Sequence, residues 1–488
     1  MAAGSQSLRV IHLVNQEGNT VTTSPAGNKL PNINGFQDMK PRHSLGYTVR
    51  HRVRTAIALT LAAMLMFAGT AAVATWLDVD GIIRNNSVNV IGQGSLDADT
   101  SIIDPNSGQP IEFVLIGQDS RDGAENQAIG GSFDDVVGNH QADTTMIAQI
   151  SADRKEINLV SIPRDSLVDV PQCETSKGKI PAQYNVMFNS IFAGAYQTGG
   201  DLASAASCTL NAVNSLTGLN IQNFIVVDFA GLVKMIDAVG GVDLCIPQNV
   251  DDPYTGLKLD KGMHHLDGVA ATQYARTRHG LGDGSDTSRT TRQQYLIKQL
   301  LSEALSKNLF TDTAQLYQLA KSALKSLNIS QGMADTAALA GLAMSLKDFS
   351  MTNLQTQTVP VVQAPSDPNR SVWTDEADTL WEKMRDGKPI FASDDSSSDA
   401  ATDSTDSNDD SNDANGDQSD GTTDDSSNEA PDPTTGLITK ADGTLVDPST
   451  GGTVDPEDGS IHDAVTGQYI GLADRYLNAT VCAVPAKN

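Results

Sequence analysis

Short apolar runs bounded by turn residues recur between residues 111 and 361, and they are rich in β-branched residues. Such runs predict strands, and apolar residues at helical spacing predict helices between them. The predicted strands are Ile111–Gln118, Met146–Ser151, Glu156–Pro163, Asn223–Phe229, Gly240–Ile246 and Thr356–Val361. The predicted helices are Phe188–Tyr196, Leu202–Leu216, Ala230–Val239, Thr290–Lys307, Ala314–Ser350 and Ser371–Lys383. This alternation predicts an α/β sandwich, a central mixed β-sheet flanked by helices.

One stretch near the N-terminus, Thr55–Trp76, is apolar and carries no charge. A helix needs about twenty apolar residues to cross a bilayer. Arg50, Arg52 and Arg54 precede the stretch and Asp78 follows it, so the positive-inside rule places the N-terminus in the cytoplasm. We therefore expect a single-pass signal-anchor in the cell membrane with the rest of the chain outside. A cleaved signal peptide is the alternative, which the long polar arm before the stretch disfavours.

The chain has 488 residues and a formal net charge of -27. Much of the acidic excess lies between Ser393 and Asp432, a tract of Asp, Ser, Thr, Asn and Gly without Lys or Arg. Such a composition buries too little apolar surface to fold, so we expect it to be disordered. The predicted organisation is a cytoplasmic arm (1–54), a transmembrane helix (55–76), an extracellular stalk (77–110), a folded domain (111–390), the disordered tract (391–435) and a C-terminal extension (436–488).

The four cysteines, Cys173, Cys208, Cys245 and Cys482, all follow the apolar stretch. An even number in an oxidising compartment indicates two disulfide bonds. The sequence leaves three pairings open, of which we favour Cys173 with Cys208 and Cys245 with Cys482.

Two aspartates lie at the ends of predicted strands. Asp119 follows the strand that ends at Gln118, and Asp143 precedes the strand that begins at Met146. Two carboxylates that converge at a sheet edge can bind Mg²⁺ together with phosphate oxygens and water. The alternative is that both side chains cap turns.

Arginines are concentrated in YARTRHGLGDGSDTSRTTRQQ (Tyr274–Gln294). Arg276 and Arg278 share one face if this segment is extended, and Arg289 and Gln293 lie one helical turn apart. The start of that helix, where Asp286 and Ser288 are suitable caps, favours anions. Arg164, after a predicted strand, is a further phosphate ligand candidate or a local ion pair with Asp165. A pyrophosphate fits this set, and a solvated arginine face is the alternative.

Several chemistries are disfavoured. The sequence has no Walker loop, no Gly-x-Gly-x-x-Gly and no Gly-x-Ser-x-Gly, and the eight histidines lack metal-ligand spacing. The acidic balance argues against a nucleic-acid partner.

Six motifs occur in an order and spacing that resemble the LytR-CpsA-Psr family of Gram-positive bacteria, in its actinobacterial branch. The motifs are FVLIGQDSRDG, ADTTMIAQIS, LVSIPRDSLVDVP, FNSIFAGAYQTGG, VVDFAGLVKMIDAVGGVDLCIP and LDGVAATQYARTRHGLGDGSDTSRTTRQQ. The resemblance covers roughly Ile111–Lys307. It implies that domain 111–390 is the catalytic domain of a phosphotransferase that moves a glycopolymer from a polyprenyl-pyrophosphate carrier to peptidoglycan.

The resemblance also implies roles for residues. The carboxylates of Asp119 and Asp143 would hold Mg²⁺, and either could deprotonate the acceptor hydroxyl. The pyrophosphate would be bound by five residues: Arg164, Arg276, Arg278, Arg289 and Gln293. Arg164 and Arg276 are also assigned to catalysis, together with Asp119 and Asp143. A tunnel in the domain would take the prenyl chain.

One position departs from the family pattern. Gln141 stands where an arginine is usual, two residues before Asp143, and Arg121 is the expected substitute in pyrophosphate binding. Two other functions remain open for the same site: a polyprenyl-pyrophosphate hydrolase, and a membrane-tethered lipid-binding or regulatory protein without catalysis.

Overall fold

The computed structural model of the protein describes residues 45–93, 96–97, 102–120, 126, 129, 140–306, 313–391, 430–465 and 467–483. The chain divides into two units, Met1–Thr70 and Ala71–Asn488. Arg121, the arm before residue 45 and the acidic tract from 392 to 429 lie outside the described residues.

The helices follow the chain in this order: α1 (Leu45–Asn85), α2 (Phe188–Gly199), α3 (Leu202–Thr217), α4 (Phe229–Val239), α5 (Gly268–Arg276), α6 (Asp286–Ser306), α7 (Thr313–Ser326), α8 (Thr336–Ser345), α9 (Asp375–Arg385) and α10 (Asp474–Tyr476). The strands before residue 240 are β1 (Ser87–Val88), β2 (Ile111–Ser120), β3 (His140–Ile150), β4 (Ile157–Ile162), β5 (Leu167–Val170), β6 (Cys173–Glu174), β7 (Lys179–Ile180), β8 (Gln183–Met187) and β9 (Phe224–Asp228). The later strands are β10 (Val242–Ile246), β11 (Val250–Asp252), β12 (Leu257–Leu259), β13 (Gly262–Leu266), β14 (Leu327–Ser330), β15 (Leu354–Thr358), β16 (Val361–Ala364), β17 (Asp367–Trp373), β18 (Ile438–Thr439), β19 (Leu445–Val446), β20 (Thr453–Val454), β21 (Ser460–His462) and β22 (Tyr469–Leu472).

Helix α1 contains the apolar stretch. Its segment Val53–Asn85 is long and apolar enough to cross a membrane, with a mean hydropathy of 2.1, and its most apolar part is exposed. The helix continues past Trp76, where the predicted span ended, to Asn85. Within the second unit, the Asp78 carboxylate at its C-terminal end accepts a hydrogen bond from Lys321 Nζ at 2.6 Å and one from the Tyr317 hydroxyl.

A seven-stranded mixed sheet forms the centre of the second unit, in the order β1-β14-β9-β2-β3-β4-β15. Strands β2 and β9 are parallel, whereas β3 runs antiparallel to both of its neighbours, β2 and β4. All residues of β4 are buried, as expected of a strand covered on both faces. The fold class predicted from the sequence is confirmed.

Two apolar layers cover the sheet. On one face, side chains such as Phe192 of α2, Leu210 of α3 and Trp381 of α9 form the larger core. On the other face, Ile297 of α6 and Leu342 of α8 pack against a smaller core that includes Met146. Helix α6, which carries the RTTRQQ motif, therefore lies directly on the sheet.

Two element predictions were wrong in detail. The segment Ala314–Ser350 is not continuous helix, because Leu327–Ser330 forms the sheet strand β14. The helix predicted from Ser371 begins at Asp375, and residues 371–373 belong to β17 instead. In each case an apolar segment with a helical pattern pairs with a neighbouring strand, so long-range pairing decides its conformation.

The C-terminal extension forms a five-stranded meander, β18 to β22. Its sequence holds a repeated turn, DPTTG, DPSTG, DPEDG and DAVTG, beginning at Asp432, Asp447, Asp455 and Asp463. In each turn the glycine N–H donates to the aspartate carbonyl at 2.7–2.9 Å, and the glycine φ is 69° to 78°. A positive φ strains other residues, which accounts for glycine at the fifth position of each repeat. This repeat was not predicted from the sequence.

The meander packs on α6. Lys298 Nζ of α6 lies 2.5 Å from Asp474 Oδ2. The buried Tyr295 hydroxyl accepts from the Cys245 N–H at 3.1 Å and donates to Asn478 Oδ1 at 2.6 Å. The C-terminal segment therefore covers the back of the helix that carries Arg289.

Both favoured disulfide pairings are present. Cys173 pairs with Cys208 and Cys245 with Cys482, with Cα–Cα distances of 5.6 Å and 5.7 Å. The second bond joins β10 to the end of the C-terminal extension, next to the Tyr295 hydrogen bonds.

Tyr295→Phe tests the docking of the C-terminal segment. The change removes one acceptor and one donor from a buried position and leaves the Cys245 N–H without a partner. We expect the free energy of unfolding to fall by about 1–3 kcal/mol in urea denaturation of the full chain. Tyr184→Phe, at a side chain that is 73% exposed, is the matched control. Equal stability of the two variants would contradict this account.

Candidate active site

A β-bulge sets the position of Asp143. In the ladder between β2 and β3, Gly117 pairs with Thr144 and Gln118 pairs with Ala142, so Asp143 is the additional residue. A bulge changes the direction of a side chain, and here it brings both Asp143 and Thr144 to the same cavity. Both predicted carboxylates lie inside strands rather than at strand ends.

The register brings Asp119 close to this bulge. Asp119 pairs with Gln141, two residues before Asp143. Because side chains alternate along a strand, Asp119 shares a face of β2 with Leu115 and Gly117. Those two residues line the cavity, whereas Asp119 is not among the lining residues.

The cavity has a volume of about 720 Å³ and lies between the sheet and helices α4, α5 and α6. One part is apolar, lined by side chains of the sheet and of two helices: Leu115, Ile225, Val227, Leu232, Met235, Leu296, Ile297, Leu300 and Leu301. The other part is polar, and four of the predicted pyrophosphate ligands line it: Arg276, Arg278, Arg289 and Gln293. Arg164 is not among the lining residues and reaches the site through its ion pairs.

Asp286 organises the arginines. Helix α6 begins at Asp286, and the Ser285 hydroxyl caps this helix by accepting from the Ser288 N–H at 3.1 Å. Asp286 is therefore not the cap that the sequence indicated. Its Oδ1 accepts from Arg289 Nη2 at 2.5 Å and lies 3.5 Å from Arg278 Nη2.

Asp286 also binds Arg164. The carboxylate accepts from the Arg164 backbone N–H at 3.1 Å, and Oδ1 lies 3.4 Å from Arg164 Nε. Three of the predicted phosphate ligands thus meet one carboxylate that the sequence analysis had treated only as a cap. The spacing of Asp286 and Arg289, three residues apart on a helix, could have indicated the contact.

Asp143 holds two arginines from the sheet side. Its Oδ1 accepts from Arg164 Nη1 at 2.7 Å, and Oδ2 lies 3.9 Å from Arg289 Nη1. Burial by itself raises the pKa of the Asp143 carboxyl, but the charges of Arg289 and Arg164 outweigh burial. The pKa therefore lies below its usual range, and the carboxylate stays ionised.

Arg278 is in an unfavourable position for a cation in the free protein. Burial, followed by the charges of Arg289 and Arg164, lowers the pKa of Arg278 to about 10. An anion between these arginines would raise the pKa of Arg278 again, because a nearby negative charge favours the charged form of each guanidinium.

Arg276 is the last residue of α5, so it is not in the extended segment that the sequence predicted. Its guanidinium lies 4.3 Å from the centre of the Phe229 ring, and Nη1 donates to the Ile129 carbonyl at 2.9 Å. These contacts hold Arg276 over the cavity next to Arg278.

Gln293 lies one turn after Arg289 on the same face of α6, as predicted. Its Oε1 accepts from the Thr144 hydroxyl at 2.8 Å, and its Nε2 donates to the Ala275 carbonyl at 3.3 Å. Gln293 therefore connects the bulge of β3 with the end of α5.

Arg292 has a structural function that sequence reasoning missed. It points away from the cavity, and Nη2 donates to the Thr277 carbonyl at 2.5 Å while Nη1 donates to the Leu281 carbonyl at 3.2 Å. These bonds hold the segment that carries Arg278 against α6.

Three buried guanidinium N–H groups of the arginine cluster make no hydrogen bond among the described residues: Arg164 Nε, Arg278 Nη2 and Arg289 Nε. The first two lie 3.4 Å and 3.5 Å from Asp286 Oδ1, and Arg278 and Arg289 line the cavity. Buried donors are normally hydrogen-bonded, so these groups favour a further acceptor in the cavity. Phosphate oxygens match guanidinium geometry.

The site can be compared with the needs of a metal ion. The described residues contain no group of three His, Cys, Asp or Glu side chains placed to hold one. Asp143 lines the cavity, and Asp119 lies on the neighbouring strand, opposite Gln141. Mg²⁺ uses one or two carboxylates and completes its shell with phosphate and water, so this pair of acids suits its chemistry.

Known proteins resemble this chain. Residues 82–386 match the model of the LytR_cpsA_psr family. The chain is 27% identical over 372 residues to the cell wall biosynthesis protein LcpA of Corynebacterium glutamicum, covering 72% of this chain and 69% of the relative. It is 28% identical over 208 residues to the polyisoprenyl-teichoic acid–peptidoglycan teichoic acid transferase TagU of Enterococcus faecalis, covering 43% of this chain and 58% of that relative.

Among solved structures, the LytR-Csp2A-Psr enzyme from Actinomyces oris aligns with 60% of this chain and 97% of its own, at a TM-score of 0.40 and 20% identity. The family model spans more than half of the sequence and includes every described site residue named above. The chain belongs to the LytR-CpsA-Psr family, in its actinobacterial branch.

Proposed function

We propose that the protein transfers a glycopolymer from a polyprenyl-pyrophosphate carrier to peptidoglycan, forming a phosphodiester. The main support is the cluster of arginines at the polar part of a cavity whose other part is apolar, with buried guanidinium N–H groups that make no hydrogen bond among the described residues. A relative of the chain is named as a transferase that joins teichoic acid to peptidoglycan, which supports the same reaction class.

The two parts of the cavity match the two parts of such a carrier. Leu232, Leu296 and Leu300 offer an apolar surface to the prenyl chain, whose burial is favourable at about 25 cal/mol per Å². The arginines at the other end bind the pyrophosphate, whose negative charge offsets the burial and the repulsion that lower the pKa of Arg278.

The proposed reaction is a substitution at phosphorus. The hydroxyl oxygen of the acceptor sugar forms a bond to the phosphorus that carries the glycan, and the bond from that phosphorus to the bridging oxygen breaks. Polyprenyl phosphate leaves, and the hydroxyl proton passes to a base. Arg276, Arg278 and Arg289 stabilise the charge that develops on the phosphate oxygens.

The base and the metal use the same carboxylates. Asp143 lines the cavity, but its lowered pKa makes it a weak proton acceptor, and Asp119 is the other candidate for the base. Mg²⁺ would be held by Asp119 and Asp143 and would neutralise negative charge on the pyrophosphate.

The membrane is the source of the carrier. We propose that α1 crosses the cytoplasmic membrane once, with the N-terminus in the cytoplasm and the second unit outside, where peptidoglycan is available. The basic residues before the apolar segment and the acidic residues after it support this orientation.

Transfer is tested with the full chain in detergent, a polyprenyl-pyrophosphate oligosaccharide, peptidoglycan oligomers and Mg²⁺, with products followed by mass spectrometry. We expect a sugar-phosphate adduct on peptidoglycan. Arg278→Gln should lower kcat/KM by about 100-fold, because it removes one charged donor from the transferring phosphate. Lys258→Gln, at a side chain that is 78% exposed, removes the same charge at the surface and should leave the rate unchanged.

Two outcomes contradict the transferase. Free sugar phosphate without the adduct, in the presence of competent acceptor, indicates a hydrolase. Tight binding of the lipid without any turnover indicates a lipid-binding protein, and Gln141→Arg is then the first variant to make, since Gln141 replaces the usual family arginine next to Asp119.

Metal dependence is tested by chelation. EDTA should abolish transfer and excess Mg²⁺ should restore it, because the carboxylates and the pyrophosphate otherwise repel one another. Asp143→Asn should lower the rate by about 100-fold or more at saturating Mg²⁺. Full activity of the wild type in EDTA would show that the arginines act without a metal.

A further inference from the structure

A buried carboxylate outside the arginine cluster also lines the cavity. Strand β11 alternates, so that Asp251 is exposed and Asp252 points inward. Asp252 is 1% exposed, and its Oδ1 accepts from the Tyr254 N–H at 2.9 Å. Its Oδ2 has no hydrogen-bond partner among the described residues.

A second polar group without a partner lies in the same wall. The hydroxyl of Thr272, on α5, is buried and makes no hydrogen bond within the described part of the chain. Thr272 and Arg276 are one helical turn apart, so their side chains share a face of α5. Both line the cavity together with Asp252.

The connection to the arginines is direct. The Thr255 hydroxyl, three residues after Asp252, lies 2.9 Å from the Thr277 hydroxyl, between Arg276 and Arg278 in sequence. The subsite formed by Asp252, Thr255 and Thr272 is therefore continuous with the pyrophosphate end of the cavity.

An aromatic pair lies over this subsite. The rings of Tyr254 and His279 are stacked with centroids 4.6 Å apart, and His279 Nδ1 is 3.8 Å from Asp252 Oδ1. Tyr254 is 64% exposed, and the His279 side chain is 60% exposed, so both rings have room to move when a ligand enters.

These groups select the chemistry of the ligand. An ionised carboxylate only accepts hydrogen bonds, so Asp252 suits a group with O–H or N–H donors and repels a further phosphate. A buried acceptor, a hydroxyl and a flat aromatic face together suit a neutral sugar ring. A metal ion is a poor fit, because Asp252 is the one carboxylate in this group of residues and the described residues contain no group of three His, Cys, Asp or Glu side chains placed to hold one.

We propose that Asp252, Thr255 and Thr272 form a subsite for the first sugar of the glycan, the one bonded to the pyrophosphate, and that Asp252 Oδ2 accepts from a hydroxyl or amide of that sugar. This inference rests on the proposed function, since the pyrophosphate places the sugar beside Arg276 and Arg278. The competing hypothesis is an internal hydrogen bond. In that arrangement the His279 ring turns inward and donates to the Asp252 carboxylate, which then has no oxygen free to accept from a sugar.

The test compares two lipids on the full chain in detergent with Mg²⁺. One is a polyprenyl diphosphate, and the other is the same lipid with one N-acetylglucosamine on its terminal phosphate. We expect the wild type to bind the sugar-bearing lipid about tenfold more tightly, measured as Kd by calorimetry. Asp252→Asn should remove this difference and leave the Kd of the bare diphosphate within about twofold, because a site built for a donor loses discrimination with its acceptor.

Two controls accompany this variant. Asp251→Asn changes the adjacent exposed acid and should bind both lipids as the wild type does. The melting temperature of Asp252→Asn should not fall, because the amide keeps the hydrogen bond to the Tyr254 N–H and removes a buried charge. A marked loss of melting temperature would show that Asp252 acts in folding and would overturn the subsite.

The outcomes separate the two hypotheses. If the wild type binds both lipids equally and Asp252→Asn changes nothing, the subsite is overturned and the proposed function stands. If His279→Ala alone creates a preference for the sugar lipid, the internal pair is the correct arrangement. If the wild type binds neither lipid, the pyrophosphate site itself is refuted, and the subsite with it.

Discussion

The candidate active site depends on the balance between three arginines and the carboxylates that hold them. Burial, and then the repulsion from Arg289 and Arg164, lowers the pKa of Arg278 to about 10. Asp286 contacts Arg164, Arg278 and Arg289, and Asp143 contacts Arg164 and Arg289. These two carboxylates offset part of the repulsion among the arginines, and buried N–H groups of the cluster still make no hydrogen bond among the described residues.

The elements that carry the charges are fixed from behind. Asp143 is placed by a bulge, which Gly117 permits: a Cβ at Gly117 would lie 2.9 Å from Thr144 Cβ. The helix with Arg289 is held by the sheet on one side and by the C-terminal meander on the other, through Tyr295 and the bond between Cys245 and Cys482. A rigid arrangement matters because phosphate recognition is directional.

One cavity combines two chemical environments. The charged groups gather where α5 ends and α6 begins, whereas the leucines of α4 and α6 form the apolar part. A carrier with a charged head and a long apolar chain can satisfy both at once. Asp252 adds a third environment to the same cavity, an acceptor for neutral donors.

Local patterns in the sequence determined much of this structure. The alternation of strands and helices, the apolar stretch at the N-terminus and the residues of the arginine motif could be read directly, because each depends on neighbours within a few positions. The family resemblance added roles to Asp119, Asp143 and the arginines. Whether Arg276 lies in a helix, and whether Leu327–Ser330 is a strand, depends on distant partners, and those predictions failed.

The tertiary structure alone decided what the polar residues do. Asp286 was read as a cap, and only the approach of Arg164 and Arg278 makes it the centre of the cluster. Arg292, in the same motif as Arg289, points the other way and holds a loop. Arg289 and Arg292 project from different sides of α6, which is packed between the sheet and the meander. The elements that face each side of α6 are distant in sequence, so the motif does not show which arginine faces the cavity. Charge and hydrogen-bond networks join residues far apart in the chain, so their partners follow from folding and not from spacing.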